Sequence, residues 1–329
     1  MDKRTNLNLS GRKHARVIIV GAGPAGIGAA VALARKGVRP VVLIDRVSNV
    51  GGIPALCKKK PGAVPTFVSW LHGRALVGEQ FVAGLEARLA KTDVEVWLDS
   101  LVVEIHAAER RLTVVSRAKG KMDLSADAVV LACGSRERSV AERGWLTGSR
   151  PARVFFTKHL FDFIDANDIL PMSRAIIVGS DSLAYSAAAK LSVSGAGQSI
   201  MLDRRRRPEC NVFQRLYFKF WSRPKWHGSI QEVQVKGLGV VEGVKISEKK
   251  VLTCDSIVVC GDLLPNTELA LLGGLEVRLP SRLLEINSGN RLSSPGWFAA
   301  GNIRGGFHGA QWCYLNGRKV ARSVLKHLA

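Results

Sequence analysis

The chain has 329 residues, with 48 Lys and Arg against 27 Asp and Glu, 47% apolar residues and 33 glycines. The apolar fraction excludes a disordered chain, the glycines follow no three-residue period and so exclude collagen, and the length fits two domains. A net charge of +21 points to an acidic counterpart, without saying whether that is nucleic acid, an anionic membrane or a protein.

The basic segment 1–16 has no apolar stretch before Val17 and reads as a lead-in, not a secretory signal. Residues 17–34 carry no charge, a length that could suggest a membrane span. Gly21, Gly23, Pro24, Gly26 and Gly28 interrupt that run directly after the β-branched stretch 17–20, so the segment reads as strand, turn and helix, and no transmembrane segment is expected. A buried strand at 16–20, a small-residue helix at 24–36 and a second strand at 40–45 make a βαβ unit. An amphipathic helix is expected at 81–90, then antiparallel strands at 94–98, 101–107 and 112–118, and a buried strand at 128–132 ending at Cys133-Gly134. The pattern restarts with a strand at 175–178, a helix at 182–194 and a strand at 199–203, followed by strands at 233–240, 243–246 and 256–260. Two βαβ units in one chain imply an internal repeat of nucleotide-binding type.

The first turn reads Gly21-Ala22-Gly23-Pro24-Ala25-Gly26. Gly21 allows the tight turn, Gly23 lets backbone approach a pyrophosphate, Gly26 lets helix and strand pack closely, and the helix N-terminus offers N–H groups to phosphate. Asp45, followed by Arg46, ends the second strand 19 residues beyond Gly26, where a ribose acceptor belongs. A glycine pattern alone is weak, but the strand, helix and acid around it make this a dinucleotide site.

Far downstream, Gly296-Trp297-Phe298-Ala299-Ala300-Gly301-Asn302 is an apolar strand ending in Gly-Asn, with a helix from about Gln311. Together with the first glycine turn, Leu131-Ala132-Cys133-Gly134-Ser135 and Gly261-Asp262-Leu263-Leu264-Pro265-Asn266, it resembles the flavoproteins with two dinucleotide-binding domains, the superfamily of thioredoxin reductase. Gly51-Gly52-Ile53-Pro54, Cys57, the segment 300–306 and the tail Trp312-Cys313-Tyr314 through Gly317-Arg318 resemble a narrower group, the FAD subunits of heteromeric opine, proline and hydroxyproline dehydrogenases and hydrogen cyanide synthase.

The resemblance implies an α/β fold of two nested Rossmann-like domains with three-layer ββα architecture. It implies an FAD domain at 1–140 plus 263–329 and an NAD(P)-like domain, expected to be degenerate, at 141–262. It also implies FAD held by Gly21, Gly23, Pro24, Ala25, Gly26, Asp45, Arg46, Gly52, Ile53, Ala132, Cys133, Gly134, Gly301, Asn302, Gln311 and Trp312. Asn302 departs from the superfamily's Asp and removes a negative charge beside the pyrophosphate. His308 precedes the helix that in this superfamily points at the flavin, where a helix dipole favours the anionic reduced form, and is the candidate catalytic residue. Some members of the group carry a cysteine-rich iron–sulfur segment; these 329 residues contain no such run.

In the second turn, Gly179-Ser180-Asp181-Ser182-Leu183-Ala184, Asp181 stands where the middle glycine would be. Its bulk and charge in a partly desolvated seat oppose a pyrophosphate, so NAD(P)H is not expected to bind, although Arg204–Arg207 stand where a 2′-phosphate would be held. The six cysteines form no CxxC or CxxxxC pair and no metal-type spacing, so neither a disulfide relay nor a metal is expected. Cys57, Cys133 and Cys313 read either as flavin neighbours or as packing residues.

Basic residues cluster at Lys58–Lys60 and Arg204–Arg207, and the aromatic and basic stretch 213–226 lacks a nucleic-acid fold around it and reads as a partner-subunit contact or local packing. The expected partner is therefore a second oxidoreductase subunit with an acidic surface. No specific nucleic acid is expected, and peripheral membrane contact stays open. The expected activity is a cytoplasmic FAD-dependent oxidoreductase, the flavin subunit of an amine or amino-acid dehydrogenase or oxidase. The alternatives are an NAD(P)H-dependent flavin reductase without a redox disulfide, and a non-catalytic FAD-binding subunit.

Overall fold

A computed structural model describes residues 13–58, 63–69 and 73–329. Lys59, Lys60 and most of the basic lead-in lie outside the described residues. The chain divides into two compact units. The first comprises Met1–Ala55, Phe67–Arg136 and Leu264–Ala329, and the second Leu56–Thr66 and Glu137–Leu263.

In the first unit, strand β1 (Lys13–Val20) leads through the glycine turn into helix α1 (Pro24–Ala34) and strand β2 (Val41–Ile44), which lies parallel to β1 with Val17 opposite Val41. Helix α2 (Gly78–Leu89) is followed by β3 (Glu95–Trp97), β4 (Ser100–His106), β5 (Arg111–Ser116) and β6 (Gly120–Leu131). The sheet order is β3-β2-β1-β6-β5-β4. The sequence pattern for residues 94–98 suggests an antiparallel strand, but β3 runs parallel to β2. Alternation alone does not fix direction, and a strand entered from a helix returns parallel. The buried run at 128–132 is the end of a 12-residue strand: β6 pairs antiparallel with β5 through its first half and parallel with β1 through its second. The C-terminal strand Trp297–Ala299 pairs with the same end of β6, Trp297 opposite Val129.

Three layers follow from strand alternation. Val17 and Ile19 pack under α1, α2 and the C-terminal helix Ala310–Leu328, whereas Ile18 and Val20 face Val102, Ile105 and Leu112 of the β4–β5 ribbon. Helix α1 is apolar nearly all round because it is sandwiched. A Cβ on Gly28 would lie 2.2 Å from the carbonyl oxygen of Tyr314, and one on Gly317 1.9 Å from that of Ala25, so these two glycines set how closely the helices approach.

In the second unit, β7 (Val154–Phe156), α3 (Thr157–Asn167), β8 (Ala175–Val178), α4 (Ser182–Val193), β9 (Ile200–Leu202), α5 (Val212–Phe218), β10 (Lys225–His227) and β11 (Ser256–Val259) build a parallel sheet of order β7-β11-β8-β9-β10. One face packs on α3 and α4; the other packs on residues from a smaller sheet that includes Val233–Lys236 and Gly243–Ser247. The strand expected over 233–240 thus ends at Lys236, where Gly237 takes φ +145°. Among the described residues no helix is long and apolar enough to cross a membrane, and no group of three or more His, Cys, Asp or Glu is arranged to hold a metal ion.

Candidate functional site: two glycine turns

The first turn is built by backbone. Gly21 has φ +111° and donates its N–H to the Ile44 carbonyl at 2.8 Å. A Cβ there would sit 2.4 Å from the carbonyl oxygen of Ala132, and one on Gly26 would sit 1.8 Å from that of Gly21, so both positions require glycine. Gly23 differs, because a Cβ there would meet only the Cα of Gly52, at 4.0 Å. The space over Gly23 is open. Gly23 is the N-cap of α1, no side chain among the described residues caps the helix, and its first turn holds no acid. Pro24 has no N–H to satisfy, which leaves those of Ala25 and Gly26 at an open, positive helix end.

The other expected residues lie around this turn. Asp45 accepts from the N–H of Ala22 at 2.6 Å and from that of Val47 at 3.2 Å, pinning the turn to the end of β2, with Arg46 exposed beside it. Gly52 sits against Gly23, and Ile53 is exposed at the start of a short 3-10 turn. Ala132 bonds to Val20 through its N–H, and Cys133 and Gly134 are clamped by Asn266, whose Nδ2 donates to the Cys133 carbonyl at 2.8 Å and whose N–H donates to that of Gly134 at 3.0 Å. Gly301, at φ +75°, lies so close to α1 that a Cβ would be 2.6 Å from the Ala25 side chain; its N–H donates to buried Asn316 Oδ1 at 2.8 Å. Gly317 belongs to the tail motif that runs from Trp312 to Arg318, but sequence pattern alone gives Asn316 no role; the available signal is its place on the C-terminal helix, facing a small-residue helix.

Asn302 has a local reason to be an amide. Its Oδ1 accepts from the His308 N–H and its Nδ2 donates to the His308 carbonyl, both at 3.1 Å. A carboxylate could make only the first of these bonds. The His308 ring stacks on Trp312, with centroids 3.7 Å apart and planes at 19°. Burial and the Arg304 guanidinium lower the His308 pKa, which favours the neutral ring. Arg304 Nε is buried with no hydrogen-bond partner among the described residues, an orphan donor three residues past Gly301. Gln311 is buried in the first turn of the C-terminal helix. Burial pushes the Cys57, Cys133 and Cys313 thiols up to about 12, and all six cysteines are unpaired thiols.

The second turn repeats this geometry with a different end. Gly179 has φ +128° and donates to Leu202 at 2.9 Å, and Asp203 at the end of β9 accepts from the Ser180 hydroxyl and from the Arg205 N–H at 2.9 Å. Asp181 is the N-cap of α4, and its Oδ1 accepts from the Ala184 N–H at 2.9 Å. Its carboxylate is buried so close to Gly261 that a Cβ on that residue would fall 2.4 Å from Oδ2. Burial pushes the Asp181 carboxyl up to about 6, opposed by the bond from Ala184. Glu137 is pushed up to about 7 by burial, opposed by the Thr157 hydroxyl. Arg143 Nη2 donates to the carbonyls of Cys260 and Gly261, and a cavity of about 310 Å³ opens between Gly179, Asp181, Arg204 and Gly261. The sequence suggests that Asp181 obstructs by projecting toward a phosphate; it instead turns back and takes the helix-end donor itself.

The comparisons with known proteins agree with this duplicated architecture. Residues 15–317 match the model of the pyridine nucleotide-disulphide oxidoreductase family. The chain is 31% identical over 180 residues to the HcnB subunit of hydrogen cyanide synthase of Pseudomonas aeruginosa, covering 55% of this chain and 36% of that protein. It is 25% identical over 339 residues to an opine oxidase subunit of Rhizobium meliloti, covering 95% of this chain and 63% of that one. It therefore spans under two thirds of the length of either relative. Thioredoxin reductase of T. acidophilum superposes with a TM-score of 0.75 at 20% identity over 96% of this chain and 99% of that one, and L-proline dehydrogenase of P. horikoshii with 0.67 at 19% over 96% and 56%. The chain belongs to the pyridine nucleotide-disulphide oxidoreductase family.

Proposed function

We propose that the first unit holds FAD and that the chain works as the flavin subunit of a heteromeric amine or amino-acid dehydrogenase or oxidase, without using NAD(P)H. The observation that carries this reading is the contrast between an uncapped helix end over Gly23 and a helix end capped by Asp181. A pyrophosphate needs the first and is excluded by the second. The open cradle over Gly23 and the orphan Nε of Arg304 are what a bound dinucleotide would satisfy. Gly23, Ala25 and Gly26 would face the pyrophosphate, and Gly301 and Asn302 the chain beyond it. Bound FAD supplies a two-electron acceptor. His308, its neutral form favoured and its ring stacked on Trp312, is the group in that region able to accept a proton from an ammonium substrate. The two curated relatives are each named as one subunit of an enzyme, which supports a partner protein for this chain.

The reading is tested by anaerobic mixing of purified protein with amines, amino acids, NADH and NADPH, alone and with any co-purified partner, while the flavin absorption band is followed. Bleaching by an amine or amino acid and not by NADPH is expected. Rapid bleaching by NADPH would replace this reading with a reductase. A colourless protein that takes up no FAD would overturn the cofactor assignment.

A further inference from the structure

Helix α5 and the turn after it carry an apolar face on the outside. Phe213 and Phe220 are each 84% exposed, and Val212 and Leu216, at 56% and 50%, join them at helical spacing. The opposite face anchors the segment: Phe218 is buried and stacks on Tyr185, and the Tyr217 hydroxyl donates to the Pro65 carbonyl. The outward face is therefore held in place by its own packing.

The charge along this segment has one sign. Residues 211–230 contain no Asp or Glu, while Arg215, Lys219, Arg223 and Lys225 recur through the stretch. Lys219, Arg223 and Lys225 are exposed. Projecting phenylalanines, with Trp221 against Phe220 and with Lys219 and Arg223 beside them, match the chemistry of a water–lipid boundary, where apolar rings enter the acyl edge, an indole sits at headgroup level and cations meet anionic headgroups. An acidic protein would need acids placed opposite these particular cations. An anionic bilayer rewards every cation on the facing side, and this chain carries an excess of 21.

We infer that the α5 face, centred on Phe213 and Phe220, docks the protein peripherally on an anionic phospholipid bilayer. This inference stands apart from the cofactor reading. The test is co-sedimentation of the full chain with vesicles of phosphatidylcholine plus phosphatidylglycerol, against vesicles of phosphatidylcholine alone. The unaltered protein should pellet with the first and stay in solution with the second, and added salt should release it.

Phe213→Ser with Phe220→Ser leaves the charge intact and should lower the bound-to-free ratio by about tenfold or more, since each ring loses most of its transfer from water. Lys219→Gln with Arg223→Gln should lower it by about thirtyfold, at roughly 1 kcal/mol per cation near the surface. All four side chains are exposed, so thermal melting should be unchanged and a folding defect is separable. Failure to pellet with the anionic vesicles would overturn the inference and leave the face to a protein partner. Pelleting that is indifferent to the phenylalanine pair would also overturn it, because dispersed charge alone would then account for binding.

Discussion

The two glycine turns of this chain start from the same geometry and end in opposite states. Each has a first glycine at positive φ bonded to the neighbouring strand, an acid at the end of the second strand and an N-cap in extended backbone, φ −73° at Gly23 and −78° at Asp181. What differs is who satisfies the helix end. In the first unit no protein atom of the cap does; in the second a buried carboxylate of the chain does. A single side chain at one position therefore separates a helix end open to an external anion from one already occupied, with no change of fold.

The largest expected effect comes from moving the closed state into the open turn. Gly23→Asp should cap α1 as Asp181 caps α4 and lower flavin binding by about a hundredfold or more, the scale of several kcal/mol of anion repulsion in a desolvated seat. The flavin content of the purified variant checks this, and retained yellow protein would show that a capping carboxylate does not close the helix end.

Gly26→Ala tests the frame instead of the seat. Its Cβ would meet the Gly21 carbonyl oxygen at 1.8 Å, so the helix must move and unfolding in urea should show a loss of about 3 kcal/mol or more. Gly23→Ala, whose Cβ has room, should leave stability within about 1 kcal/mol while weakening the cofactor.

A smaller effect concerns pH. Burial raises the folded-state pKa of Asp181 above its unfolded value, so the native state holds the extra proton between about pH 4 and 6, and stability falls as pH climbs through that window. Asp181→Asn keeps a side-chain cap and removes the titration. Its stability relative to the unaltered protein should rise by about 2–3 kcal/mol from pH 4 to pH 7, at about 1.4 kcal/mol per unit. A flat difference would mean that the carboxylate is less buried than described. The smallest expected effect is a gain: Asp181→Gly should give weak NADPH binding where the unaltered chain shows none, measured by calorimetry.

Much of this comparison is legible in the sequence because it rests on local pattern. Gly21, Gly23 and Gly26 follow a β-branched run, Asp45 ends the next strand, and Asp181 breaks the repeat. The direction in which Asp181 acts is not legible, since a carboxylate at an N-cap faces either solvent or its own helix, and only packing against Gly261 decides. Nor is the role of Asn302, whose two bonds to the His308 backbone depend on a loop that carries no periodicity. The helix Thr157–Asn167 does carry a periodic signal, since Leu160, Phe161 and Ile164 share one buried face, whereas Val212–Phe218 is harder to read because it is 7 residues long and places phenylalanine on both its buried and its exposed face.

The number of dinucleotides carried by each chain distinguishes an open first turn and a closed second turn from every other combination. Denaturing the purified, untagged protein and quantifying released flavin and pyridine nucleotide together should return one FAD per chain and no NAD(P), even after incubation with excess NADPH and desalting. Two dinucleotides per chain, or a pyridine nucleotide in place of the flavin, would contradict it.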